Sequence, residues 1–321
     1  MIVSWDSHYT QGVISLWNKE AVKDGYKELT EISFTDIFLS NPYFDEETTF
    51  ILLESDQVKG FACGCTGDDL PLGHAAGYIT CIVLSSDCRT NETYAMMLEV
   101  LENRFKYLGK QQSELMFFNP MRLPWYIPDT PHHEHNNAPG VPVDSALYPF
   151  LLSQGYAERA RECAMYLNLA GFTVPEDMKA KEAAAGMDGY RVELFESEEI
   201  SGVEEMLDGF NNPLWKREIA QCAADSVPVV FAEYEGKAVG FAGPVIRQNN
   251  GRGYFTGIGV HPEHEGHGLG SILFFKLCEA FQRIQATYMS LYTGSTNPAI
   301  RIYEKAGFRT VKPFAVMRRE L

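Results

Sequence analysis

Apolar and polar positions, punctuated by glycine and proline, divide the 321-residue chain into short strands and longer helices. The clearest passage is 254–271. Phe255, Ile258 and Val260 suit a buried strand, His261 and Pro262 break it, and Gly266, Gly268 and Gly270 clear side chains from a loop before Ile272 opens an apolar helix running to 283. The second half predicts a strand at 191–195, a helix at 200–210, a hairpin of 229–234 with 238–242, the strand 254–260, the helix to 283, a strand at 288–292, a short helix and a strand at 311–318. The first half predicts the same order: strand 2–5, helical stretches around Leu16 and Leu29, a hairpin of 49–53 with 60–65, strand 78–84, helix 93–107, strand 115–118, helix 147–152 and strand 166–169.

The repetition extends to residues. VKGFACG at 58–64 lines up with AVGFAGP at 238–244, and LLSQGY at 151–156 with YEKAGF at 303–308. Duplication of one unit explains both matches. The predicted class is α/β, a mixed α+β sheet in two tandem domains, 1–171 and 190–321, with 172–189 as a polar, alanine-rich linker. Within the first domain, 120–144 is a proline- and histidine-rich loop whose missing N–H donors leave no room for a regular element.

Composition is that of an ordinary globular chain, and a formal charge of −16 argues against nucleic acid and anionic membranes as partners. A cationic acceptor suits such a field. The seven cysteines contain no CxxC pair and read as reduced, buried thiols; with no leader-like N-terminus and no apolar run long enough to span a bilayer, the expected setting is cytoplasmic. Oligomerisation is left open.

A glycine-spaced loop at a helix start presents converging backbone amides and a partial positive charge, and so suits a phosphate or pyrophosphate. The Walker and GxGxxG patterns do not fit it: no lysine precedes Ser271, and Gly257 and Gly259 fall inside the strand. Six of the eight histidines (His132, His133, His135, His261, His264 and His267) fall near two loops, which raises a metal-assisted hydrolase as a rival; no HExxH or paired cysteines support it, and no metal is expected.

VHPEHEGHGLGSIL resembles the acyl-CoA loop of the GCN5-related N-acetyltransferases, V-x-P-x-x-[QR]-x-x-G-x-[GA], and NPAIRIYEKAGF resembles that family's C-terminal signature. The resemblance implies an N-acetyltransferase that moves acetyl from acetyl-CoA to a primary amine of a small molecule by direct attack. It implies that Ile258, Gly259 and Val260 pair with the pantetheine arm, that the amides of Glu265, Gly266, His267, Gly268, Leu269, Gly270 and Ser271 surround the pyrophosphate, and that Asn297 contacts the cofactor or a site water. Tyr303 would stand near the thioester sulfur as the acid that protonates the departing thiolate. Glu233, on the neighbouring hairpin strand, is the candidate base. Glu265 departs from the family's Gln or Arg, which leaves a non-catalytic acyl-CoA-binding module as an alternative; a protonated His267 would offset its charge. In the first half, Thr90, Glu92 and Tyr94 stand where the glycines should be and Leu151 where Tyr303 should be, which marks a degenerate copy.

Overall fold

A computed structural model describes residues 1–195 and 200–321. The chain forms two compact units: Met1–Ala164 with Tyr292–Ser295 and Val311–Leu321, and Met165–Leu291 with Thr296–Thr310. The end of the sequence thus belongs to the unit built from its beginning. The segment expected to be a linker contains a helix, Glu176–Met187, within the second unit; acids occupy its first turn and only Met178 and Ala185 are buried, so its apolar face is thin.

In the first unit the strands Ile2–Ser4, Thr49–Glu54, Gln57–Cys65 and Ala76–Leu84 pair antiparallel in that order. Ala76–Leu84 then runs parallel to Gln112–Leu115, and Met317 to Glu320 of the last strand close the series antiparallel to it. The predicted strand 115–118 lies three residues early because its pairing is spent by Leu115. The helix Asn91–Tyr107 buries Met97, Leu101 and Phe105 at helical spacing against this sheet, in a core that also holds Leu115, Val141 and Met317.

The proline-rich loop is more regular than its composition predicts. Trp125–Tyr126 pairs with Glu134–His135, and Val141 and Pro142 pair with Ala315 and Phe314. Trp125 anchors it: the indole is 1% exposed, its Nε1 donates to the Tyr292 hydroxyl at 2.7 Å, and His135 stacks on the ring. A buried aromatic with a satisfied N–H replaces the ladder bonds that the prolines cannot make.

In the second unit the strands Tyr190–Phe195, Val229–Tyr234, Lys237–Gly243 and Gly257–Val260 form an antiparallel sheet. The helix Leu269–Arg283 covers one face, with Phe274, Phe275 and Phe281 at most 2% exposed. Two helices cover the other, Val203–Gly209 and Pro213–Ala224, packing Phe210 and Trp215 on Phe241. The second of these was not predicted, although Asn212 caps it through the amides of Leu214 and Trp215 with Pro213 behind, a legible start signal. All seven cysteines are free thiols. Among the described residues no helix is long and apolar enough to cross a membrane.

Met317 is fully buried among first-unit residues, so Met317→Ala should cost about 2–5 kcal/mol in urea denaturation followed by the fluorescence of Trp5 and Trp17. A cost under about 1 kcal/mol would show that the C-terminal strand adds little to that core.

Candidate functional site

The predicted strand 254–260 is two strands. Along one edge the chain stays paired: Gly253 and Tyr254 with Arg247 and Ile246, then the Thr256 amide donating to Gly243 O at 2.8 Å, then Gly257 to Val260 with Gly243 to Gly240. Along the other, Arg252 and Gly253 run parallel to Tyr288 and Met289, and the ladder ends there. Gly257–Val260 is the outermost strand of its sheet. The ladder therefore parts at 254–256, and beyond it a row of backbone groups faces outward with no strand partner. The buried Arg252 helps hold the parting, donating through Nη2 and Nε to the backbone oxygen and hydroxyl of Ser290, each at 2.7 Å.

Ring contacts assign the two faces, and the alternation slips between 255 and 257. Phe255 meets Phe274 and Phe281 of the helix Leu269–Arg283, and a Cβ on Gly253 would strike Phe281. Tyr254, Gly257 and Gly259 face the opposite way, where a Cβ on Gly257 would lie 2.3 Å from Trp215 and one on Gly259 would lie 2.9 Å from Phe210. The glycines of this strand are thus required by aromatic rings packed on its backbone.

The strand ends in the short turn Pro262–His264 and the loop that follows. Gly266 and Gly268 have φ of +89° and +75°, the left-handed region that favours glycine. The amides of Gly266, His267 and Gly268 donate to no other described residue, and those of Leu269 and Gly270, first in the helix, have no intrahelical acceptor. The Ser271 amide turns back to Gly268 O at 3.1 Å. Glu265 is exposed and has no cationic partner among the described residues. His267 stands against Asp188 at 3.2 Å and Tyr190 instead of Glu265. Lys181, from the helix of the expected linker, lays its stem over Gly268.

Tyr303, on the helix Ile300–Lys305, is 8% exposed and packs on Phe274, which also meets Phe308 and, at the parting, Phe255. Burial raises its phenol above the ordinary tyrosine range, so it holds its proton at neutral pH. Asn297 is exposed and spends its Oδ1 on the Ala299 amide at 2.9 Å, a local turn at the helix start. Glu233 is not brought to this group: its carboxylate accepts from Arg191 Nη2 at 2.6 Å and Nε at 3.1 Å, near the turn of its hairpin. Sequence reading missed Glu218, which accepts the Tyr254 hydroxyl at 2.9 Å; finding it needed the helix Pro213–Ala224, which Asn212 and Pro213 signal. Among the described residues no cluster of three or more His, Cys, Asp or Glu is arranged to hold a metal.

The first unit repeats the parting. Ala76, Gly77 and Tyr78 run parallel to Gln112, Ser113 and Glu114, and the ladder stops at Ile79. There the gap is filled from within: Asn119, 8% exposed, donates to Ile79 O at 3.4 Å and bonds the Thr80 hydroxyl, with the buried Met121 beside it. At the following helix start the Thr90 hydroxyl accepts the Thr93 amide, and Tyr94 is buried on Phe150.

A parted strand followed by a left-handed glycine loop and a helix agrees with the sequence comparison: the Acetyltransferase (GNAT) family model matches residues 193–308. These residues form a GNAT domain. No curated protein matched the chain in sequence. Solved structures share the fold over the whole chain. A tandem GNAT protein from the clavulanic acid biosynthesis pathway matches with a TM-score of 0.58 at 13% identity, covering 100% of this chain and 98% of its own. A GCN5-related N-acetyltransferase from Sphaerobacter thermophilus gives 0.62 at 13%, covering 100% and 95%. The GCN5-related glucosamine N-acetyltransferase region of a fungal multi-domain GH3 beta-N-acetylglucosaminidase gives 0.65 at 13%; 99% of this chain is covered, and the chain spans 38% of that longer protein. At such identity the likeness establishes the fold, a tandem GNAT fold whose N-terminal half is also GNAT-like.

Nothing lies within 4 Å of a Cβ built on Gly266, so Gly266→Ala should cost about 1–2 kcal/mol in thermal unfolding through its backbone conformation alone. A neutral substitution would show that the loop is not held left-handed.

Proposed function

We propose that the chain is an N-acetyltransferase that moves acetyl from acetyl-CoA to a primary amine of a small molecule by direct attack. The observation that carries this reading is the parted strand, whose unpaired edge at Gly257–Val260 leads into a loop of undonated amides. A pantetheine arm carries two amides and can complete such an edge as a strand would. The pyrophosphate follows at Gly266 to Gly270, where amides and the helix start supply local positive potential in a chain of net charge −16.

In this reading the thioester lies at the parting, residues 254–256. Tyr303 stands on the side of the helix Leu269–Arg283 and gives its proton to the thiolate as the C–S bond breaks, help worth about 10² to 10⁴ in rate. Phe210 and Trp215 roof the opposite face, where the amine arrives. The N-terminal half does not bind the cofactor, because Asn119 fills its parting and Thr90 caps its helix. The compartment is taken as cytoplasmic on the reduced thiols.

Acetyl-CoA should raise the melting temperature, and calorimetric titration should give one molecule per chain. No shift at millimolar acetyl-CoA would defeat the reading. Gly268→Glu should abolish the shift. Tyr303→Phe should keep it while lowering kcat for thiol release by roughly 10²-fold or more. A Tyr303→Phe protein with unchanged turnover would remove the acid role, and a wild type that binds acetyl-CoA but releases no thiol with any amine would favour a binding module.

A further inference from the structure

The face of the parted strand opposite Tyr303 carries a second polar pair that the family signatures do not contain. The Tyr254 hydroxyl donates to Glu218 Oε2 at 2.9 Å, linking the helix Pro213–Ala224 to the residue where the ladder parts. Glu218 Oε1 has no hydrogen-bond partner among the described residues, and both side chains are half-buried. Trp215, one turn earlier on the helix, fixes the same junction by donating from Nε1 to Thr256 O at 3.3 Å.

We infer that Glu218 is the proton acceptor for the attacking amine and that Tyr254 positions it. The assignment rests on the transferase reading above. A primary amine enters as an ammonium, for which a carboxylate beside aromatic rings is a suitable receptor. Glu218 takes one proton from it. The freed lone pair forms the C–N bond at the thioester carbonyl, the C–S bond breaks, and the thiolate takes the Tyr303 proton. Glu218 releases its proton to solvent and takes the second one from the amide nitrogen, releasing that as well, while Tyr303 regains its proton from solvent. The products are the acetamide, CoA thiol and one proton.

The groups around the pair suit this role. Burial, followed by the bond to Glu218, raises the Tyr254 phenol, so Tyr254 keeps its proton and remains the donor in that bond at neutral pH. Arg252 lies over the Tyr254 ring at 5.9 Å but is spent on Ser290, and Cys222, on the same helix, is held protonated by burial, up to about 11. Neither competes as a base. Glu233, by contrast, is held by both nitrogens of the Arg191 fork.

The test uses full-length protein, thiol release from acetyl-CoA, and two acceptors: a primary alkylamine and a weakly basic aromatic amine. Glu218→Gln should keep the acetyl-CoA melting shift and lower kcat/KM for the alkylamine by about 10² to 10⁴. The deficit should shrink as pH rises toward the alkylamine's own pKa, about 10.4, and should be small for the aromatic amine, which is unprotonated at neutral pH. Tyr254→Phe should show a smaller deficit of the same pattern. Equal deficits with both amines at all pH values would mean a structural role and overturn the assignment. Wild-type rates in Glu218→Gln would overturn it as well. Either result leaves the transferase reading standing; that reading falls if the wild type shows no acetyl-CoA melting shift or releases no thiol with any amine.

Discussion

The second unit depends on a strand that keeps one edge paired and gives up the other. Buried backbone amides and carbonyls are paired almost without exception, so a ladder that stops mid-strand leaves groups to be satisfied from elsewhere. At Gly253 the partner Met289 is in register; by Gly257 only Gly243 remains. The protein braces the parting with the buried Arg252 bonds to Ser290 on one side and the half-buried Trp215 bond to Thr256 O on the other, and the edge beyond it has no strand partner. An amide-bearing arm of low conformational demand fits that edge better than a rigid ring would.

The first unit answers the same constraint differently. Its ladder stops at Ile79, and the side-chain amide of Asn119 takes the Ile79 carbonyl while Met121 fills the space behind. One fold thus treats one vacancy in two ways, closing it with a side-chain amide in the first unit and leaving the edge without a strand partner in the second. The proline loop that follows Asn119 is held by Trp125 packed against Phe314, on the strand returning from the far end of the chain.

Much of this was legible. Period-two and helical spacing located the hairpins, the helix Asn91–Tyr107 and the helix Leu269–Arg283, and the glycines at 266 and 268 do lie in a loop, with left-handed backbone. What escaped reading has a common cause: side-chain pattern reports which face of a strand is buried and says nothing of which edge is paired. Residues 254–260 were read as one strand and pair as two. The helix Glu176–Met187 escaped because two buried positions in twelve residues leave almost no amphipathic signal. Glu233 was chosen for its strand, and its partner Arg191, directly across the ladder, could be named only once the register was known. Asn119 lies among prolines where composition argues for irregularity, and its role is to a carbonyl forty residues away.

The parted strand also divides the chemistry. Phe255 points toward Phe274, on which Tyr303 packs, and Tyr254 toward Glu218, so the proposed proton donor and the proposed acceptor lie on opposite faces of one backbone. The separation matters energetically. A carboxylate next to a phenol lowers the phenol's value as an acid, as the raised Tyr254 phenol bonded to Glu218 illustrates. Tyr303 is spared that bond, its phenol raised by burial alone and surrounded by Phe274 and Phe308. A thioester threaded through the parting would meet the amine from one face and lose its thiol toward the other, and the strand between them keeps the two proton transfers from short-circuiting.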